Sequence, residues 1–223
     1  MRNSLTALSC LFLAIAGPAT AQSLAPEPRP PAGAAANLVL PPVGADGSYA
    51  TPNRGLSPAE ATWHLRAALN VAALNCRDAD EGLTVANYNR LLAANRVALA
   101  AATDAVDTRY RASFGAAWVD ARETAMTRVY NFFAQPPAHD AFCVAAKQVL
   151  TEAQSVEPAD LAAFAVARLA DLERPFTDFY ARYDQYRTAL AAWRTGAGGG
   201  VAVATLAAVS VTGAPLAAET GPH

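Results

Sequence analysis

The chain has 223 residues, 53% of them apolar and 16% charged, with a formal charge of -2. That apolar share excludes disorder along the whole length, and the near-neutral balance argues against a nucleic-acid binder, which needs a basic face. The length fits one domain with tails rather than two domains.

The N-terminus reads as an export signal. Arg2 gives a short positive start, and Leu5 to Ala16 (LTALSCLFLAIA) gives a weakly polar to apolar run. Gly17 and Pro18 break the run, and Ala19-Thr20-Ala21 supplies a small-x-small cleavage pattern before Gln22. Residues 1–21 are therefore expected to be a secretory signal peptide. The run is too short to cross a bilayer, which takes about 20 apolar residues. A periplasmic or secreted location follows as an expectation.

Cys10 lies in the signal segment, which leaves Cys76 and Cys143. In an oxidising compartment two thiols pair, so a Cys76–Cys143 disulfide is expected. Two buried free thiols are the alternative. The sequence places no histidine cluster beside either cysteine, so no zinc site is expected.

Residues 22–56 are proline-dense, with Pro26, Pro28, Pro30, Pro31, Pro41, Pro42 and Pro52. They read as a poorly ordered arm in which Ala36 to Val43 can pin itself to the domain. The expected domain covers 57–194. Ser57-Pro58-Ala59-Glu60 is a capping box with proline in the first turn, so a helix starts there and runs to about Cys76. Leu65, Leu69, Ala72 and Cys76 share one face, broadened by Val71 and Leu74. A helix this apolar around its circumference belongs at the centre of a fold. After a charged turn over 77–83, one long helix is expected from about 84 to 111, with Leu92, Leu99 and Val106 as a heptad-like seam and Asn95 and Ala102 between them.

A third helix is expected over 116–134, with Trp118, Ala125, Val129 and Phe132 inward, ended by Pro136-Pro137. The fourth covers 138–155 and carries Phe142, Ala145, Val149 and Ala153. The fifth opens at Glu157-Pro158 and turns Leu161, Phe164, Ala165, Leu169 and Leu172 inward, and Pro175 stops or kinks it. The last runs from Phe176 to Arg194 with Phe179, Tyr183, Tyr186, Leu190 and Trp193 at helical spacing. The expectation is an all-α bundle of five to six helices with one disulfide. A tail over 195–223 begins with Gly196 to Gly200. It continues as VAVATLAAVSVT (201–212), which has β-propensity and is too short to span a membrane.

The stretches HLRAALNVAALNCR (64–77), YNRLL (88–92), TRVYNFFA (127–134) and AFCVAA (141–146) resemble a group of exported alphaproteobacterial proteins. The resemblance spans about residues 60–175 and rests on the order and spacing of these elements. It implies an exported helical domain with two paired cysteines, and it implies no activity.

Little in the sequence carries catalytic chemistry. The histidines are His64, His139 and His223, and no HExxH, GxSxG, Walker or GxGxxG pattern occurs. No catalytic residue, metal site or cofactor is expected. Glu60 and His64, four apart, read as a first-turn carboxylate beside a boundary histidine. Asp78, Asp80 and Glu81 read as a solvated turn, because the later glycine and glutamate of a calcium loop are missing. The pairs Tyr88-Asn89 and Tyr130-Asn131 are more informative. With Asn95, and with Trp63, Arg90 and Arg128 near in sequence, they form either a polar network that fixes helix register or a pocket for a small polar ligand.

The functional expectation is a non-catalytic exported protein that binds an envelope or extracellular protein. The alternatives are a binder of a small polar ligand between helices and an enzyme of unrecognised type. No nucleic-acid partner and no membrane span are expected, and the sequence does not set an oligomeric state.

Overall fold

The computed structural model describes residues 26–35 and 37–197. The expected signal peptide and the tail segment 201–212 lie outside the described residues. The described chain falls into two units, of which Pro28–Leu190 carries the helical body. The other holds residues 26–27 and 191–197 of the described chain. In it the last helix ends in a wide turn, Trp193–Ala197, with Gly196 at φ 90°.

The architecture is all-α. In chain order the helices are α1 (Pro58–Asn75), α2 (Glu81–Ala94), α3 (Arg96–Phe114), α4 (Trp118–Phe133), α5 (His139–Glu152) and α6 (Leu161–Ala192). Short 3-10 turns precede α4 and α5, follow α5 and lead into α6. Among the described residues there is no β-strand, only an isolated antiparallel bridge between Val43 and Tyr49.

The Ser57 capping box is present. The Ser57 hydroxyl accepts from the Glu60 backbone amide, and the Glu60 carboxylate accepts from the Ser57 amide at 2.9 Å. The helix it opens is buried almost all round, from Glu60 to Leu65 and from Ala67 to Ala73 apart from Asn70. Many of those positions are alanines, which bury little area but let neighbouring backbones come close. Helices α2, α3, α4 and α5 all pack against α1.

Two helix boundaries differ from expectation. The single helix expected over 84–111 is two, α2 and α3, parted at Asn95. That residue takes φ -108° and ψ 20°, is 1% exposed, and its Nδ2 donates to the Leu91 carbonyl at 3.1 Å. Its side-chain amide and its own backbone N–H both donate to the Leu91 carbonyl, and the helix is interrupted at this shared acceptor. Leu99, Ala102 and Val106 still form the buried stripe of α3, while Leu92 is half-buried.

Conversely, Pro175 neither stops nor separates anything, and α6 runs through it. An interior proline costs about 3 kcal/mol through the lost donor and the ring clash. The contacts around it offset that cost. Leu169, Leu172, Pro175, Phe176, Phe179 and Tyr180 are all buried along this helix. The Phe176 ring packs at 4.7 Å from Phe132, 5.4 Å from Phe142 and 5.8 Å from Phe133. The break at Asn95 and the fusion at Pro175 leave the helix count at the upper end of the expected range.

The proline-dense arm, read from the sequence as poorly ordered, lies along the helical body instead. Leu38, Leu40, Tyr49 and Leu56 pack half-buried against the core. The Tyr49 hydroxyl donates to Asp184 at 2.8 Å, Thr51 donates to Glu173, and the Tyr49 ring meets Tyr180 edge-on at 5.2 Å. Proline density sets an extended backbone, and these side chains fasten it.

Cys76 and Cys143 are disulfide-bonded, with Cα atoms 5.7 Å apart and a sequence separation of 67. The bond ties the end of α1 to the first turns of α5. Closing a loop of that length stabilises by about 4 kcal/mol on the chain-entropy estimate. The double substitution Cys76→Ala with Cys143→Ala should therefore lower the urea midpoint by the equivalent of about 4 kcal/mol with the helical circular dichroism retained. A midpoint unchanged within error would show that the bond restrains nothing the bundle does not already restrain.

Candidate functional site

The residues singled out in the sequence separate into distinct places. Trp63, buried on α1, meets the half-exposed ring of Tyr130 edge-on at 5.8 Å. Tyr88 is buried on α2, with Arg66 and Asn70 of α1 and Tyr130 of α4 in the electrostatic surroundings of its hydroxyl. Trp63 and Tyr130 thus pair directly between α1 and α4, and Tyr88 lies near them. Burial pushes the Tyr88 hydroxyl above its ordinary range, with Arg66 pulling the other way.

The other four residues lie elsewhere. Asn89 is exposed on α2, and Asn95 sits at the α2–α3 junction with its Oδ1 buried and unpartnered. Arg128 and Asn131 are exposed on α4 and line an open groove of about 590 Å³ beneath the arm, with Thr51, Gln135 and Tyr180. The Tyr-Asn pairs thus do not build one pocket. In each pair the tyrosine turns toward α1 while the asparagine does not share its site, because adjacent residues on a helix point about 100° apart.

A cleft between α2 and α5 has a volume of about 500 Å³. Leu83, Thr84 and Asn87 face it from α2, and Lys147, Gln148 and Thr151 from α5. Thr84 and Asn87 are buried polar residues, 3% and 7% exposed. A signal for them was available in the sequence, since Thr84, Asn87 and Leu91 fall on one helical face.

Two polar clamps hold the cleft walls. Lys147 pairs with Asp78 at 2.7 Å and Asp80 at 3.3 Å, which joins the turn before α2 to α5. At the other end the Arg90 guanidinium donates to Gln154 Oε1 at 3.2 Å, and Gln154 Nε2 donates to the Asn87 carbonyl at 3.2 Å. The acidic turn is thus spent on ion pairs. The Lys147 ammonium beside Asp78 holds that carboxyl below its usual range.

Glu60 and His64 do not form a joint site. The Glu60 carboxylate takes hydrogen bonds from Ser57 and is paired with Arg109 of α3. His64 turns the other way, and its Nδ1–H donates to Asn53 Oδ1 of the arm at 2.9 Å. Burial lowers the His64 pKa to about 4, so the ring is neutral at physiological pH.

Among the described residues, one group of three metal-type side chains converges: Cys76, His139 and Cys143, with ligand atoms all within 4.8 Å of one another. His139 precedes Cys143 by one turn of α5, a juxtaposition the sequence reading passed over when it found no histidine cluster. His139 Nδ1–H donates to Asp140 Oδ1 at 3.0 Å, and Nε2 lies 3.1 Å from the Asn75 carbonyl and 3.7 Å from Cys143 Sγ.

No protein-family model matches the chain, and no curated protein and no solved structure is similar to it. No described helix is long and apolar enough to cross a membrane.

The His64 contact yields a pH prediction. The unfolded histidine protonates near pH 6.5 and the folded one near pH 4, so between these values the unfolded chain binds more protons. The stability of the neutral buried ring is fully present above about pH 6.5 and is lost as pH falls toward 4, by up to about 3 kcal/mol. The thermal midpoint should fall across that window, and His64→Gln should flatten the fall. Parallel wild-type and variant curves would refute the assignment.

Proposed function

We propose that the protein is exported and acts outside the cytoplasm as a non-catalytic binding protein, with the α2–α5 cleft as its recognition site for an envelope or extracellular protein. The observation that carries this reading is the composition of the cleft rim. Leu83, 60% exposed, lies on the α2 side of the opening. Val144, 68% exposed, lies one turn before Lys147 and Gln148 on α5. An exposed aliphatic side chain at a concave, polar-floored groove, with a second exposed one a turn away along α5, matches the usual make-up of an interface, with apolar anchors and a hydrogen-bonding rim. The disulfide and the two polar clamps support the reading further, because a groove held open before binding loses less entropy when it is filled.

A second reading is favoured by the floor of the same cleft. Buried Thr84 and Asn87 face a volume of about 500 Å³, within the range of small-ligand sites. Under that reading a small polar molecule occupies the space.

A photo-crosslinking residue placed at Leu83 in the intact producing cell should trap one discrete protein adduct. The same residue at Val97, an exposed position on α3 that does not line the cleft, should trap none, and Leu83→Asp should weaken the association at least tenfold. If positions 83 and 97 give the same adducts, the cleft is not the interface. Native mass spectrometry separates the second reading: a retained small molecule that is lost in Asn87→Ala would replace the protein partner.

A further inference from the structure

We propose that the corner formed by Cys76, His139 and Cys143 is a binding site for a soft metal ion, zinc or monovalent copper, in the dithiol state of the protein, and that the disulfide closes it.

Three observations carry the proposal. The first is the ligand set. Two thiolates and an imidazole are the donors that soft and borderline ions select. Here they come from the end of α1 and one face of α5, with all donor atoms within 4.8 Å. The second is spacing. A thiolate and an imidazole bound to one ion at about 2.3 and 2.1 Å sit about 3.6–3.8 Å apart for tetrahedral to trigonal angles. His139 Nε2 is 3.7 Å from Cys143 Sγ. Because the two belong to one helix at i and i+4, that spacing persists when the disulfide opens.

The third observation is the group behind the ring. Asp140 Oδ1, 3.0 Å from His139 Nδ1, accepts the Nδ1 proton. In the metal-free state both ring nitrogens carry protons, Nδ1–H donating to Asp140 and Nε2–H to the Asn75 carbonyl. Binding gives up the bond to Asn75 and releases the Nε2 proton, and the carboxylate keeps the proton on Nδ1, so that Nε2 is the nitrogen left to hold the metal. Access is provided, since His139 also borders an open groove of about 730 Å³ shared with Asn75, Pro137 and Phe142.

The chemistry balances. A dithiol reductant passes two electrons and two protons to the Cys76–Cys143 bond and leaves as its own disulfide. The S–S bond breaks and two thiols form. Metal binding then releases both thiol protons and the His139 Nε2 proton, as the sulfurs become thiolate ligands and the imidazole becomes a neutral one. A disulfide oxidant runs the sequence backwards: it takes the two electrons, picks up two protons and leaves as its dithiol, the Cys76–Cys143 bond re-forms and the ion is expelled. The site is thus available to a newly exported chain or to one reduced afterwards, and shut in the oxidised protein.

The test uses the full chain, reduced and freed of oxidant under anaerobic conditions, with Co²⁺ as an optical probe. Reduced protein should bind one Co²⁺ per chain and show thiolate-to-metal absorption, and oxidised protein should show none. Displacement by Zn²⁺ or by Cu⁺ then identifies which ion is held more tightly. His139→Ala should weaken binding at least tenfold. Asp140→Asn should weaken it about tenfold with a shift of the cobalt bands, and Asp140→Glu should restore it. Reduced protein that takes up no Co²⁺, whether folded or unfolded by circular dichroism, overturns the proposal. So does a His139→Ala variant that binds as tightly as wild type, because the two thiols alone would then explain the binding.

Discussion

The fold depends on burying α1 on every side. A helix enclosed by four others can expose no polar group without a partner, and its neighbours must approach closely to exclude water. Alanine meets the second condition at Ala61, Ala67, Ala68, Ala72 and Ala73, all 7% exposed or less. The first is met residue by residue: Glu60 by the cap and Arg109, Thr62 by the Pro58 carbonyl at 2.8 Å, and His64 by Asn53. Alanine buries little area per residue, so the remaining cohesion comes from larger side chains elsewhere. The rings of Phe132, Phe133, Phe142 and Phe176 supply it where α4, α5 and α6 meet.

The arm and α6 complete each other in the same way. Most arm backbone groups lack helical partners, and its prolines have no amide to donate. Its order comes instead from side chains that reach α1 and α6. Tyr49 and Asp184 illustrate the strength of one such contact. Burial together with the Asp184 carboxylate raises the Tyr49 hydroxyl to about pKa 12, so it remains a donor across the physiological range. Glu173, half-buried beneath Thr51, is shifted upward by burial, and the hydroxyl of Thr51 works against that shift.

Local rules that act within one turn were legible in the sequence. The capping box at Ser57 and the apolar face of α1 follow from short-range spacing, and the pairing of Cys76 with Cys143 from residue chemistry; of the expected inward stripes Val129 and Phe132 of α4 and Phe142 and Val149 of α5 are buried, while Trp118, Ala125 and Ala145 are only half-buried. What was not legible depended on tertiary packing. Pro175 breaks helices by local preference, yet here it is buried next to Phe176, whose ring packs against rings from two other helices. Asn95 looked like a polar interruption on a continuous seam, yet a fully buried amide bonding back to its own turn ends the helix. The candidate site failed for a related reason. Sequence proximity grouped each tyrosine with the asparagine beside it, whereas helical geometry groups residues three and four apart. On that rule Thr84 and Asn87 belong to the cleft, and His139 belongs with Cys143.

The cleft and the metal corner share α5, and this links the two functional readings physically. Val144, Lys147, Gln148 and Thr151 follow Cys143 along the helix, and the disulfide anchors the end from which they extend. With the bond closed, α5 is fixed covalently to α1 and through Lys147 to the turn before α2. With the bond open, the first anchor is gone and only the ion pairs and packing hold the wall. A metal ion held by Cys76, His139 and Cys143 replaces the covalent tie with a coordinate one between the same two helices. Binding in the cleft then favours whichever state holds α5 at the width the partner requires, and by linkage that state strengthens the binding by the same factor.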